Sequence, residues 1–296
     1  MPELPEVTVN ARNLLSWMRG KVIASVVPPP GTRELDGMVP GEFARELVGR
    51  CIVDVTRRGK WILVRFDRGA LGIHLGMTGK FLRVAGSDAL PRFARAVFVM
   101  SDGQRVCLVD PRRFGKLVMA RQLDDLLARR EISGLGPDVL SELTAENLCE
   151  ALAKTSRSVK EALMDQRIAA GVGNIYSTEG LWRAQIHPTT PAQEIAVNAA
   201  LCRLLLESLR AALQHGLDEY SKIDIPAYIE EGAPNPFFAY DRRGEACPRC
   251  KSVFESMVLG GRTTVYCPKC QVSKSDAPAR AARRPSWSRR SRRRRS

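Results

Sequence analysis

Apolar residues fall at Leu4, Val7, Ala11, Leu14, Leu15 and Met18. That spacing predicts an amphipathic helix over 4–18 that pins the N-terminal end to a core. From about residue 20 to 119 the period changes. Short runs rich in β-branched residues follow one another: Lys21–Val27, Cys51–Arg57, Trp61–Phe66, Leu71–Leu75, Phe81–Val84, Ala96–Met100, Arg105–Val109 and Lys116–Met119. Turn signals such as Asp67-Arg68-Gly69 and Asp102-Gly103 separate several of them. Many short strands at close spacing predict an antiparallel sandwich or barrel. Ala44–Arg50 reads as a short polar connection, helical in part. Residues 120–220 read as helical. Asp124–Arg130 is a short helix or linker, Thr144 is an N-cap before Ala145–Lys154, and Val159–Gln166 follows. A helix from Ile175 to Ala184 and a long one over Ala192–His215 complete the set. Residues 216–236 are a loop, and Phe237–Arg243 reads as a strand. Residues 272–296, rich in Ser, Arg, Pro and Ala, have almost nothing to bury and read as disordered.

Composition narrows the partner. The 296 residues suffice for two domains with real cores. The formal charge is +14, which points first to nucleic acid. Residues 271–296 hold ten Lys/Arg against one Asp, so +9 of that charge sits in the tail. An Arg-dense tail reads as a nonspecific DNA tether. No run of about 18 apolar residues and no basic-then-apolar leader is present, so the expectation is a cytoplasmic protein without a membrane span. Of eight cysteines, Cys51, Cys107, Cys149 and Cys202 are scattered in apolar surroundings and read as small core residues, not as a disulfide framework.

The other four cluster. Cys247-Pro-Arg-Cys250 and Cys267-Pro-Lys-Cys270 are separated by sixteen residues, which suits a tetrahedral four-thiolate zinc site. Four protein thiolates leave no open position, so the zinc is read as structural and its binding as coupled to folding. Gly260-Gly261 between the pairs is a hairpin turn, with Arg262 at or beside its tip, placed to grip phosphate. Gly171-Val172-Gly173-Asn174 lies between two helical segments. It reads either as a tight turn or as a helix N-terminus offering N–H groups to a phosphate, with Lys160 and Tyr176 favouring the anion site.

The first six residues carry the sharpest chemistry. If Met1 is removed, Pro2 becomes a secondary amine. An α-amino group has a pKa of roughly 7.7–8.0, so much of it is unprotonated near neutral pH. Such an amine forms a Schiff base with a sugar carbon. Glu3 and Glu6 follow at once, and either can serve as general acid or base. The plainer reading is that Pro5 and the two Glu simply start a helix.

These pieces coincide in a known family. The chain resembles the formamidopyrimidine-DNA glycosylases of the Fpg/Nei superfamily. The match rests on Pro2-Glu-Leu-Pro-Glu-Val7, Arg58-Gly-Lys60, His74-Leu-Gly-Met-Thr-Gly79, Asp110-Pro-Arg-Arg-Phe-Gly115, Lys160 with Leu163–Gln166, Gly171–Tyr176 and the cysteine ribbon through Gln271. The resemblance implies an α+β multidomain chain. An N-terminal antiparallel β-sandwich flanked by helices spans 1–130. A helix-two-turn-helix domain with a lesion-capping loop spans 131–236. A zinc β-hairpin spans 237–271, and the tail 272–296 is extra. It implies a monomer that binds damaged double-stranded DNA and removes oxidised purines such as 8-oxoguanine and formamidopyrimidines. Pro2 would attack C1′, Glu3 would act as general acid/base and Glu6 as a supporting carboxylate. β- and then δ-elimination would cut the strand. Lys60, Asn174, Tyr240 and Arg262 match the phosphate clamp, His74 a further DNA contact, and Met77, Arg112 and Phe114 the residues that fill the space left by an everted base. Two places depart from the family pattern: the capping loop, with Gly216–Pro226 and Glu230–Pro234, and Phe93-Ala94-Arg95, where the family has a His-x-His-like segment. The rival readings are an oxidised-pyrimidine glycosylase of the endonuclease VIII type and a catalytically silent DNA-binding module. Leu4 and the filling triad favour the purine enzyme. Pro2, Glu3 and Lys60 argue against the silent module.

Overall fold

The computed structural model describes residues 2–222 and 234–273. Met1, most of the capping loop (223–233) and the Arg-rich segment 274–296 lie outside the described residues, and so do the expectations for them. Helix α1 (Leu4–Met18) opens the chain. Strand β1 (Ile23–Val27), helix α2 (Pro40–Leu47) and strands β2 (Ile52–Arg58), β3 (Trp61–Phe66), β4 (Ala70–His74), β5 (Lys80–Val84), β6 (Ala94–Met100), β7 (Arg105–Val109) and β8 (Lys116–Ala120) follow. All eight strands lie where the β-branched runs placed them, with ends the same or moved by one or two residues. They form two antiparallel sheets, ordered β1-β6-β7-β5 and β2-β3-β4-β8.

Ile62, Val64, Phe66, Leu71 and Ile73 from one sheet meet Phe81, Phe98, Val106 and Leu108 from the other. The second sheet also has a covered outer face. Trp61, Leu63, Ala70 and Val118 pack beneath Leu126 of α3 (Leu123–Leu127) and Ile132 of α4 (Arg130–Ser133). Burial on both faces explains why Trp61–Phe66 reads as a nearly continuous apolar run rather than an alternating one.

The helical part holds α5 (Ala145–Ala153), α6 (Val159–Met164), α7 (Asn174–Ala184), α8 (Ala192–Ala196) and α9 (Ala199–Ser221). Thr144 caps α5 as expected, accepting from the Asn147 N–H at 3.1 Å. The expected single helix over 192–215 is instead two. The Asn198 side chain accepts from the N–H groups of Ala200 and Leu201, which ends α8 and starts α9. Two of the four scattered cysteines are not the free core thiols expected, while Cys107 is one. Cys149 on α5 and Cys202 on α9 form a disulfide, with Cα atoms 5.8 Å apart. The two helices pack through Leu148, Leu152 and Leu205, which brings their cysteines within bridging range.

Helix α1 belongs to both cores. Val7, Ala11, Leu14, Trp17 and Met18 pack into the sandwich, while Leu4 and Val9 join the helical core. The last strands among the described residues, β9 (Glu255–Leu259) and β10 (Arg262–Tyr266), form a hairpin that turns at Gly260-Gly261 as expected. Among the described residues no helix is long and apolar enough to cross a membrane.

Candidate active site

The N-terminal end of α1 is driven into the turn before α7. The Leu4 N–H donates to the Gly171 carbonyl at 3.0 Å. Gly171 has φ 96°, and a Cβ there would lie 2.5 Å from the Leu4 side chain. A Cβ at Gly173 would lie 2.5 Å from the Glu3 carboxylate and 2.7 Å from Lys60 Nζ. The Gly-x-Gly turn is therefore shaped to admit the chain's own N-terminal residues.

This overturns the phosphate expectation for that turn. The N–H groups of Gly173, Ile175 and Tyr176 donate to the Glu3 carboxylate at 2.7, 2.8 and 3.3 Å. The helix N-terminus does bind an anion, and the anion is Glu3. Pro2, immediately before it, is buried.

Glu6 lies one turn on. Its Oε2 accepts the Glu3 N–H at 2.8 Å, and its Oε1 accepts the Tyr176 hydroxyl at 2.9 Å. Burial, and then the charge of Glu3, push the Glu6 pKa up. Tyr176 has no exposed surface, and burial raises its pKa well above the ordinary value, so it stays a donor. Gly216 on α9 makes its room, since a Cβ there would lie 2.1 Å from the hydroxyl. Tyr176 is thus a buried prop for Glu6 and not a DNA contact.

Lys60 follows Gly59 (φ 54°) in the two-residue turn between β2 and β3. Burial lowers its pKa; Glu3 and Glu6 act in the opposite direction, and Arg262 reinforces the fall. Lys160 does not join this group. It is completely buried where α6 meets α7, and its Nζ donates to Thr178 Oγ1 at 2.7 Å. Burial pulls its pKa down to about 7, and it cannot reach a phosphate on the surface.

A second cluster forms where two loops press together. Gly76 (φ 63°) lets the Met77 loop approach the Phe114 carbonyl, which a Cβ would meet at 2.4–2.5 Å. Buried Asp110, which the motif reading left without a role, ties the loops. It accepts from Thr78 Oγ1 at 2.6 Å and from the Gly115 N–H at 2.8 Å. Met77, Arg112 and Phe114 are thereby brought together. The Phe114 ring is 43% exposed, with the guanidinium groups of Arg112 and Arg33 5.1 and 5.3 Å from its centre. The departure at 93–95 now has an account. Arg95 donates to the carbonyls of Asp110 and Pro111 at 2.8 and 3.2 Å and braces this loop. His74, at the end of β4, packs against Trp61 and accepts the Gly76 N–H through Nδ1 at 3.1 Å. Burial, with Lys60 and Lys116 nearby, lowers its pKa to about 4, so it presents a neutral ring.

The segment Phe237–Arg243 is not a strand. Its N–H groups at Phe238, Ala239 and Tyr240 converge on the buried Glu179 carboxylate at 3.2, 2.7 and 2.8 Å. Glu179 thus sets Tyr240 in place. The sequence offered no local signal for it, since Glu179 follows Ser177 and Thr178 and precedes Gly180 on α7. Asn174 Nδ2 donates to the Thr263 carbonyl at 3.1 Å, which joins the start of α7 to the hairpin whose first β10 residue is the exposed Arg262.

The thiol sulfurs of Cys247, Cys250, Cys267 and Cys270 all lie within 4.8 Å of one another. Zn–S bonds of about 2.3 Å require sulfurs about 3.8 Å apart, so this donor set fits a structural zinc. The ribbon docks on α7 through Arg249, whose guanidinium lies 4.3 Å from the Trp182 ring centre, and on the turn after α7 through Gln271, which donates to the Ile186 carbonyl at 2.9 Å.

Three family models cover most of the chain: "Formamidopyrimidine-DNA glycosylase N-terminal domain" over residues 1–117, "Formamidopyrimidine-DNA glycosylase H2TH domain" over 135–225, and "Zinc finger found in FPG and IleRS" over 244–272. The chain belongs to the formamidopyrimidine-DNA glycosylase family. It is 39% identical to the formamidopyrimidine-DNA glycosylase of a Roseiflexus species over 92% of this chain and 100% of that one. It is 34% identical to that of Bacillus subtilis over 93% and 100%. Among solved structures, the Lactococcus lactis enzyme in complex with DNA containing N7-benzyl-Fapy-dG superposes with a TM-score of 0.82 at 27% identity, covering 92% of this chain and 100% of that one. A MutM complex with DNA containing carbocyclic 8-oxo-G superposes at 0.80, also at 27% identity.

Proposed function

We propose that the protein excises oxidised purines from duplex DNA and then cleaves the strand, with Pro2 as nucleophile. The observation that carries this reading is the fixed Glu3 carboxylate, held by the Gly173 amide and two α7 amides beside Lys60 and directly after Pro2. In this reading the Pro2 nitrogen forms a bond to C1′ as the bond from C1′ to the damaged base breaks. The C1′–O4′ bond then opens as the proline lone pair forms the C1′=N iminium, and Glu3 relays the proton that the proline nitrogen loses to O4′. The resulting iminium acidifies the C2′ hydrogens. Loss of one of these expels the 3′ phosphate by β-elimination, and a further proton loss expels the 5′ phosphate by δ-elimination. Glu6, held by Tyr176, fixes the Glu3 backbone and so aims Pro2. Lys60, Asn174, Tyr240 and Arg262 hold phosphates around the everted nucleotide, with His74 as a further contact. Met77, Arg112 and Phe114 fill the vacated stack. Zinc, when bound by the four cysteines, braces the hairpin that presents Arg262 and takes no part in the chemistry. A monomer located in the cytoplasm on DNA accompanies this reading.

Borohydride trapping tests it. A duplex carrying 8-oxoguanine opposite cytosine should give a covalent adduct, and Pro2→Gly should lose most of it. Trapping only on a 5-hydroxyuracil duplex would reassign the substrate to oxidised pyrimidines. No adduct on any damaged or abasic duplex, or an active protein still carrying Met1, would sink the mechanism.

A further inference from the structure

Phe93 lies in the left-handed region at φ 66°, yet its side chain is 38% exposed. That backbone conformation is costly for an aromatic residue, and folding alone favours Gly or Asn there. No deep burial of the ring offsets the cost. The guanidinium groups of Arg92 and Arg95 lie 4.5 and 5.6 Å from its centre. The strained turn is nevertheless firmly held. The Ala94 N–H donates to the Pro91 carbonyl and the Asp110 N–H to the Phe93 carbonyl, both at 3.1 Å. Arg95 adds its bonds to the carbonyls of Asp110 and Pro111. Asp110 in turn fixes Gly115 and Thr78. Phe93 is therefore rigidly joined to the loop that carries Arg112 and Phe114. Strain that persists at an exposed residue marks a functional position more often than a structural one.

We propose that Phe93 is a second apolar contact on the DNA, its ring packing on the face of a nucleotide beside the lesion while Arg92 lies against the adjoining phosphate. This rests on the glycosylase reading above. The chemistry of the patch selects the partner. Two exposed phenyl rings, each with arginines over it, suit base or sugar faces between phosphates and read no particular sequence. Because wedge insertion at Phe114 distorts the duplex, Phe93 is placed to meet a nucleotide that the distortion has opened.

The test uses the full chain and a duplex carrying a tetrahydrofuran abasic analogue, which cannot form the covalent intermediate. Phe93→Gly removes the ring and relieves the backbone, so its Tm should equal or exceed that of the wild type. Its affinity for the duplex should fall about tenfold. The slope of log affinity against log salt should stay unchanged, since no cation is lost. Phe93→Tyr should bind within about twofold of the wild type. A Phe93→Gly variant that binds as tightly as the wild type overturns the proposal, as does a loss of affinity that Phe93→Tyr shares in full. A wild type that shows no preference for the analogue over undamaged duplex overturns the glycosylase reading and this proposal with it.

Discussion

Gly173→Ala tests whether the Glu3 carboxylate must sit where the α7 amides hold it. Gly173 has φ −137°, which any residue adopts, so the substitution acts by its methyl group alone. That methyl would lie 2.5 Å from Glu3 Cδ and Oε1 and 2.7 Å from Lys60 Nζ, whereas ordinary contact begins at 3.4 Å. The carboxylate must retreat by about 0.9 Å, and a retreat of that size weakens its bonds to Gly173 and Ile175. Overpacking of this kind costs about 1–3 kcal/mol of stability. A displacement near 1 Å at a reacting centre lowers a rate about 100-fold. The assay is single-turnover borohydride trapping on an abasic duplex with enzyme in excess. Binding to the tetrahydrofuran duplex should change by less than about fivefold, because of the proposed DNA contacts only Lys60 is displaced, and it by the flexible end of its side chain. A variant that traps within threefold of the wild-type rate would refute the claim that this carboxylate position matters.

Three further outcomes are expected. Lys160 has a folded pKa of about 7 against an ordinary 10.5, so the unfolded chain holds the extra proton between those values. Wild-type stability should therefore rise with pH across that window relative to Lys160→Met, and urea titrations from pH 7 to 10 that show a constant difference would refute this. Thiol titration of the denatured, chelated and unreduced protein should find six reactive cysteines, and eight would exclude the Cys149–Cys202 bridge. Removing zinc should unfold the hairpin and weaken DNA binding through loss of Arg262. Unchanged affinity after confirmed metal loss would detach Arg262 from the clamp.

Period and spacing made most of the fold legible. Short β-branched runs bounded by turn signals located all eight sandwich strands, helical spacing located α1, and the doubled Cys-x-x-Cys located the ribbon. What escaped depends on long-range pairing. Nothing local distinguishes Cys149 and Cys202 from buried thiols until α5 and α9 are packed. The α8–α9 break turns on one Asn side chain, which a continuous apolar period masks. Phe237–Arg243 has strand-like composition, but its amides serve Glu179, sixty residues away. At the site, sequence named Glu3, Glu6 and Lys60 and missed the residues that hold them or shape the surfaces nearby: Tyr176 in its true role, Gly216, Asp110 and Glu179.

The start of α7 shows why those errors share one cause. A glycine turn before a helix, with a lysine and a tyrosine nearby, offers anion-binding donors whatever anion arrives. The sequence left a tight turn and a phosphate site both open, with Lys160 and Tyr176 favouring the phosphate. The fold supplies its own anion, since α1 is shared between two cores: Leu4 is packed among the helices and Val7 in the sandwich. With both neighbours fixed, Glu3 has one place to go, and the α7 amides occupy it. The site's strongest electrostatic contacts therefore exist before any substrate binds, and they cost nothing to organise when it does. Any movement between sandwich and helices must carry the residue after Pro2 with it. A nucleophile that is the chain's own second residue, normally among the most mobile atoms of a protein, can be aimed only by an arrangement of this kind.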